Sequence, residues 1–206
     1  MKLYSFTGSC ALASNIVLEW IGKPYELKLL KREELGTADY RKLNPMGKVP
    51  LLDVDGWTLT ENAAILNYLA ETSPEAKLDG DGTPKGRAEV NRWLGLINSE
   101  MHPAYKPLFG TTGYLNDNAA ITKTKEHALS ELRRMFELCD QRLSDRKWLA
   151  GTRSIADAYL FVLLTWAKIV KVNLSGLSHL ADFEQRMRAD AAVQKALKAE
   201  GLAKAA

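Results

Sequence analysis

The sequence predicts an α/β domain over residues 1–78 followed by an all-α domain over 85–206, and three observations carry that division. The first 76 residues alternate between the two-residue period of strands and the 3.6-residue period of helices. Everything beyond Gly86 keeps the helical period alone. Between them, Lys77 to Gly86 gathers Asp79, Gly80, Asp81, Gly82, Pro84 and Gly86, a composition expected to form a linker unable to bury enough surface to order itself. A chain of 206 residues is long enough for two small domains, each with a core.

Lys2 to Phe6 reads as a short strand that hands over through Thr7-Gly8-Ser9-Cys10 to a helix. The helix is marked by Leu12, Ile16 and Trp20, flanked by Ala13, Val17 and Ile21, and Gly22 stops it. Tyr25 to Leu30 is a second strand, and 33–43 is a polar connection, irregular or helical. Val49-Pro50-Leu51-Leu52 begins a third strand. Asp55-Gly56 suits a type I′ turn, which needs positive φ at both centres, so Leu51–Val54 pairs antiparallel with Trp57–Leu59. A helix follows over about 62–72 with Ile65, Leu66 and Leu69 inward. Past the linker, helical periodicity covers 87–101, 119–143 and 154–171, with shorter pieces at 180–187 and 192–199. Ser154 and Asp157 have the spacing of a capping box, a folding motif from which no catalysis is expected.

Composition excludes several functions. Hydrophobic residues at 46% and charged residues at 26% are globular values. The most apolar stretch, Ala158–Val170, contains Lys168 and falls short of the roughly 20 residues of a membrane span. The amino terminus runs directly into strand-like sequence without a secretory apolar core, so a cytoplasmic location is expected. Two cysteines cannot build a disulfide framework. The net charge of +3 divides into −1 over residues 1–78 and +4 over 79–206. Without a run of five like charges, a basic stripe interleaved with aromatics or zinc-type Cys/His spacing, neither a nucleic-acid partner nor a metal is expected.

Four constellations could carry chemistry. Cys10 stands at the first strand–helix junction, where free backbone N–H groups and the helix dipole are expected to lower a thiol's pKa and make a nucleophile. No second cysteine completes a C-x-x-C pair, so this thiol would need an external partner, and Cys139 lies on the core stripe Leu132, Phe136, Cys139, Leu143. Val49-Pro50 heads a strand, where a cis bond would turn the Val49 backbone outward as a free edge and a trans bond would be ordinary. Thr60-Glu61-Asn62 opens a helix whose N–H groups suit a carboxylate, with Glu61 suited to an adjacent ammonium, although plain capping gives the same pattern. Finally, Asn91, Gly95, Asn98, Ser99 and His102 form a polar strip on an otherwise apolar helix expected to be central and to line a cleft, with His102 as base or hydrogen-bond partner near a thiol. His127 and His179 lie in ordinary contexts.

Together, Tyr4–Ala13 with Cys10, Asn44-Pro45-Met46-Gly47-Lys48-Val49-Pro50, Thr60–Ile65 and Ser154–Tyr159 resemble the cytosolic glutathione S-transferases, the bacterial beta class in particular. The resemblance spans essentially the whole chain and implies a thioredoxin-like first domain, an all-helical second domain and a homodimer. It implies glutathione as co-substrate and no metal. Cys10 would meet the glutathione sulfur, with His102 as the second catalytic residue. Val49, before Pro50, would pair its backbone with the cysteinyl part, Glu61 and Asn62 would hold the γ-glutamyl head, and Ser99 would be a polar neighbour. Lys31 or Arg32 would bind the glycyl end, and Gly95 replaces an asparagine that reaches across the dimer in some relatives. Tyr105, Leu108, Phe109 and Trp166 would build the pocket for the second substrate. The activity implied is conjugation of glutathione to hydrophobic electrophiles, with thiol–disulfide exchange or peroxide reduction beside it. The alternatives are a monothiol glutathione-dependent disulfide reductase and a non-catalytic binding module on the same fold.

Overall fold

The computed structural model describes residues 1–202. The amino-terminal part runs β1 (Lys2–Ser5), α1 (Ala11–Ile21), β2 (Glu26–Leu29), a 3-10 turn (Arg32–Gly36), α2 (Ala38–Leu43), β3 (Leu51–Val54), β4 (Trp57–Thr60) and α3 (Asn62–Glu71). The remainder is helical: α4 (Pro84–Leu96), a π turn (Ile97–Met101), α5 (His102–Ala104), α6 (Asn118–Arg142), α7 (Ile155–Ile169), α8 (Ser178–Ala189) and α9 (Ala191–Ala199). The sheet order is β2-β1-β3-β4, with β1 parallel to β2 and antiparallel to β3, and β3 antiparallel to β4. This is the thioredoxin-like α/β layout followed by an all-α domain. Val54 pairs with Trp57, and both turn residues take positive φ, 54° at Asp55 and 92° at Gly56, as a type I′ hairpin requires.

The two domains share one core. Ala11 to Leu18 are all buried because α1 lies between the sheet side, where it packs on α3, and the second domain, where it packs on α7 and α9. Burial on every side adds Leu18 to the expected apolar positions, and the two polar side chains that α1 buries, Ser14 and Asn15, are hydrogen-bonded, to Asn62 and to Tyr25 and Glu200. The central helix of the second domain is α7, buried without interruption from Ile155 to Leu164. The first helix after the linker places Val90, Trp93, Leu94, Ile97 and Met101, the apolar residues expected of it, in the shared core, although α7 is the more completely buried helix. At the start of α7, Asp157 accepts from the Ser154 N–H and hydroxyl at 2.8 and 2.9 Å and from the Leu149 N–H at 3.0 Å, so the capping box also anchors the preceding loop.

The linker also departs from expectation. Leu78 is fully buried and its carbonyl accepts from the Ile155 N–H at 3.0 Å, pinning the segment to the start of α7. Asp81 accepts from the Thr83 N–H and hydroxyl, Thr83 caps α4, and the helix already begins at Pro84. Its polar composition serves turn and cap geometry rather than disorder.

Candidate active site

Cys10 is the N-cap residue of α1, half-buried, with its thiol pointing at the Val49 carbonyl 3.7 Å away. The Val49–Pro50 bond is cis, and the loop that carries it is tied down by Asn44 and Tyr40, whose side chains both donate to the Lys48 carbonyl at 2.7 Å. Gly47 in that loop has φ +61°, and a Cβ there would lie 2.7 Å from the Leu35 carbonyl oxygen, so the turn requires glycine.

The thiol's electrostatics reverse the expectation from its sequence position. Burial pushes the Cys10 thiol up to about 12, and the carboxylates of Glu61 and Glu200 add to the rise. The N–H groups of Cys10 and Ala11 pull the other way, as the helix terminus should, but desolvation wins. Cys10 is therefore a neutral S–H donor at pH 7.

Glu61 is exposed at the head of α3 with φ 68° and ψ 114°, a conformation that costs a non-glycine residue on the order of 1–3 kcal/mol and is characteristic of functional sites. Asn62 is buried and its side chain is committed: Oδ1 accepts from the Ser14 hydroxyl at 2.7 Å, and Nδ2 donates to the Cys10 carbonyl at 3.1 Å. What Asn62 can offer a ligand is its backbone N–H at the helix N-terminus, while its side chain fixes Cys10. An anion-accepting helix end and the Glu61 carboxylate thus stand together, the pair an α-amino acid head calls for.

His102 sits just beyond the π turn, half-buried, with Nδ1 against the Tyr159 hydroxyl. Its ring meets Trp166 edge-on, centroids 5.0 Å apart. Burial first, then the positive charges of Lys106 and Lys48, lower its pKa to about 4, so the imidazole is neutral at pH 7. Trp166 also packs edge-on against Tyr105 and Phe109. Phe109 is exposed beside this cluster, whereas Tyr105 is fully buried and donates to the Leu163 carbonyl at 2.7 Å, so it braces the wall rather than lining it.

Direct contacts join Cys10 to Val49, the residue before the cis Pro50, and to Asn62, which follows Glu61 at the head of α3, while His102 is held by Tyr159. Lys31 and Arg32 are exposed at the carboxyl end of β2, beside the end of β1 from which the Cys10 loop departs. Ser99 is placed differently: its hydroxyl donates to the Gly95 carbonyl at 2.7 Å, and it faces a groove shared with Glu131, Arg134 and Leu138 of α6. Two groups near the site, Tyr159 and Glu200, were given no role from the sequence, and Trp166 was expected only in the wall of the second-substrate pocket. Tyr159, part of the capping motif, reaches His102; Trp166 donates to the Gly8 carbonyl; and Glu200, fully buried after α9, accepts from Ser5 and Asn15 side chains and the Gly8 N–H. Among the described residues, no cluster of three or more His, Cys, Asp or Glu could hold a metal, and no helix is long and apolar enough to cross a membrane.

Residues 1–71 match the family model of the glutathione S-transferase N-terminal domain, and residues 96–191 that of the C-terminal domain. The chain is 53% identical over 203 residues to glutathione S-transferase GST-4.5 of Xanthomonas campestris pv. campestris, covering 98% of this chain and 100% of that protein. It superposes on the structure of a glutathione S-transferase from Xylella fastidiosa with a TM-score of 0.96 at 47% identity, covering 98% and 99% of the two chains. A bacterial beta class glutathione S-transferase from Sphingomonas chungbukensis aligns with a TM-score of 0.86 at 35% identity over 98% and 100%.

Proposed function

This chain belongs to the glutathione S-transferase family, and on that basis we propose that it conjugates glutathione to hydrophobic electrophiles in the cleft around Cys10. The observation that carries the reading is the meeting of three groups: the Val49 backbone, the α3 N-terminus with Glu61, and the Cys10 thiol. Glutathione presents a γ-glutamyl head, a cysteinyl amide and a glycyl carboxylate in that order. Glu61 would take the ammonium, the Asn62 N–H the adjacent carboxylate, Val49 the cysteinyl amide, and Lys31 or Arg32 the glycyl end. The glutathione sulfur then lies beside Cys10.

The chemistry follows from the protonation states. Glutathione's thiol loses its proton to solvent, and the thiolate accepts hydrogen bonds from the neutral Cys10 S–H and from His102. Its electron pair forms a C–S bond to the electrophilic carbon, and the leaving group departs with the bonding pair. Phe109 and Trp166 offer an apolar wall for the second substrate. A charged thiolate at Cys10 would repel the glutathione thiolate, so the raised Cys10 pKa serves conjugation.

Thiol–disulfide exchange is a second reading, favoured by Cys10 being a free thiol with no partner, Cys139 being buried in α6. Cys10, as its thiolate, would attack the glutathionyl sulfur of a substrate–glutathione mixed disulfide, forming a Cys10–glutathione disulfide and releasing the substrate thiolate; a glutathione thiolate would then release Cys10 and depart as glutathione disulfide. The protein would act as a homodimer in the cytoplasm.

The test is glutathione binding and aryl-halide turnover by wild type and Glu61→Gln. The reading predicts glutathione KM raised about tenfold with kcat within about threefold, the pattern of a lost ground-state contact. Wild type that neither binds glutathione nor turns over the aryl halide would overturn it.

A further inference from the structure

The Tyr159–His102 contact stands beside a second set of hydrogen bonds, the one that holds Cys10. Ser14 of α1 donates to Asn62 Oδ1 at 2.7 Å, and Asn62 Nδ2 donates to the Cys10 carbonyl at 3.1 Å. The Tyr159 hydroxyl meets His102 Nδ1 with the two rings perpendicular, centroids 5.9 Å apart. Donor inventory settles the direction of this last contact. The Tyr159 residue is fully buried and, among the described residues, His102 Nδ1 is the one hydrogen-bond partner of its hydroxyl, so the O–H has no other acceptor. Its one proton is then free for Nδ1. Burial, with the nearby Cys10 and Glu61, pushes the phenol up, so that proton is kept at all working pH values.

We propose that Tyr159 is a positioning residue whose O–H, donating to His102 Nδ1, holds the imidazole as its Nε2–H tautomer and so makes His102 a hydrogen-bond donor to the reacting sulfur rather than a base. A neutral imidazole has one donor and one acceptor nitrogen, and the bond at one decides the role of the other. Lys106 and Lys48 face the ring and oppose its protonation, while Cys10 and Glu61 lie on the Tyr159 side. Asn62 holds the Cys10 backbone through the bond from Nδ2 to the Cys10 carbonyl, so each group placed near the sulfur has its own buried support. This assignment rests on the conjugation reading above for the identity of the sulfur, but not for the tautomer.

The experiment has a spectroscopic and a kinetic arm. In uniformly 15N-labelled wild type near pH 7, long-range 1H–15N correlation identifies the His102 ring by its loss in His102→Asn. The Nε2–H pattern is expected, and an Nδ1–H pattern overturns the proposal. Tyr159→Phe is expected to give a tautomer mixture and kcat for an aryl halide lowered about tenfold or more, with glutathione KM within about twofold. Added to His102→Asn, it should cost nothing further, since the two act as one unit. Retention by Tyr159→Phe of both the wild-type tautomer and turnover overturns the proposal. If wild type has no conjugating activity, the conjugation reading fails, and the tautomer of the wild-type ring alone decides the Tyr159 assignment.

Discussion

Trp166 Nε1 donates to the Gly8 carbonyl at 2.8 Å, joining the central helix of the second domain to the loop that presents Cys10. Glu200 accepts from the Gly8 N–H at 3.2 Å, so both backbone polar groups of one glycine, held at φ 74°, are fixed by the other domain. The loop that carries Cys10 is thereby held by domain docking. Trp166→Phe keeps the aromatic packing but leaves the Gly8 carbonyl without its donor. The expected cost is about 1–3 kcal/mol in denaturant unfolding, with lower aryl-halide turnover. Unchanged stability together with unchanged turnover would show that the loop holds its shape without the second domain.

Glu200 is the acceptor for three donors at once, Ser5, Gly8 and Asn15. Glu200→Ala orphans all three in a buried place and is expected to destabilise by about 2–4 kcal/mol, whereas Glu200→Gln, which keeps one acceptor oxygen, should lose less. Equal losses from the two variants would contradict this account.

Two buried groups give opposite pH slopes. His102, lowered from 6.5 to about 4, leaves the unfolded chain holding a proton that the folded chain lacks between those values. Its contribution to stability therefore falls as pH falls through that window. Asp157, buried and raised from 3.8 to about 6, is protonated first in the folded chain, and its contribution rises as pH falls through about 6 to 4. His102→Asn should expose the Asp157 slope. Relative to wild type, urea unfolding at about pH 4.5 compared with about 6.5 should shift toward greater acid-side stability by about 1–3 kcal/mol. A shift of the opposite sign would refute the His102 assignment.

What the sequence revealed and what it hid divide by range. Asp55-Gly56 and Ser154/Asp157 were legible because the turn and the cap are each closed within three residues. The strand and helix periods likewise located every major element. Tyr159 was present in a recognised motif, yet its partner His102 lies 57 residues away, and Glu200 reaches Ser5 across 195. No local pattern encodes such contacts. Cys10 shows the same limit in electrostatics: the helix terminus that favours thiolate is visible in sequence, while the burial that outweighs it exists only after the domains pack. The order of Lys77–Gly86 was hidden similarly, since the carbonyl of Leu78 finds its donor at Ile155.

The Cys10 thiol, raised to about 12, should alkylate slowly at neutral pH. Its rate with iodoacetamide is expected to climb steadily from about pH 7 to pH 10, since only the thiolate reacts. A plateau reached below about pH 8 would mean that the helix terminus, not burial, governs this thiol.

The most direct test of the whole account is aryl-halide conjugation by wild type and Cys10→Ala, with intact mass recorded after exposure to glutathione disulfide. Because Cys10 acts in conjugation as one neutral donor beside His102, the variant should retain turnover within about tenfold, the scale of one lost neutral hydrogen bond, while the glutathione adduct of the wild type disappears. Loss of conjugation by a factor of about a thousand or more would contradict the account and make covalent chemistry at Cys10 the work of the site.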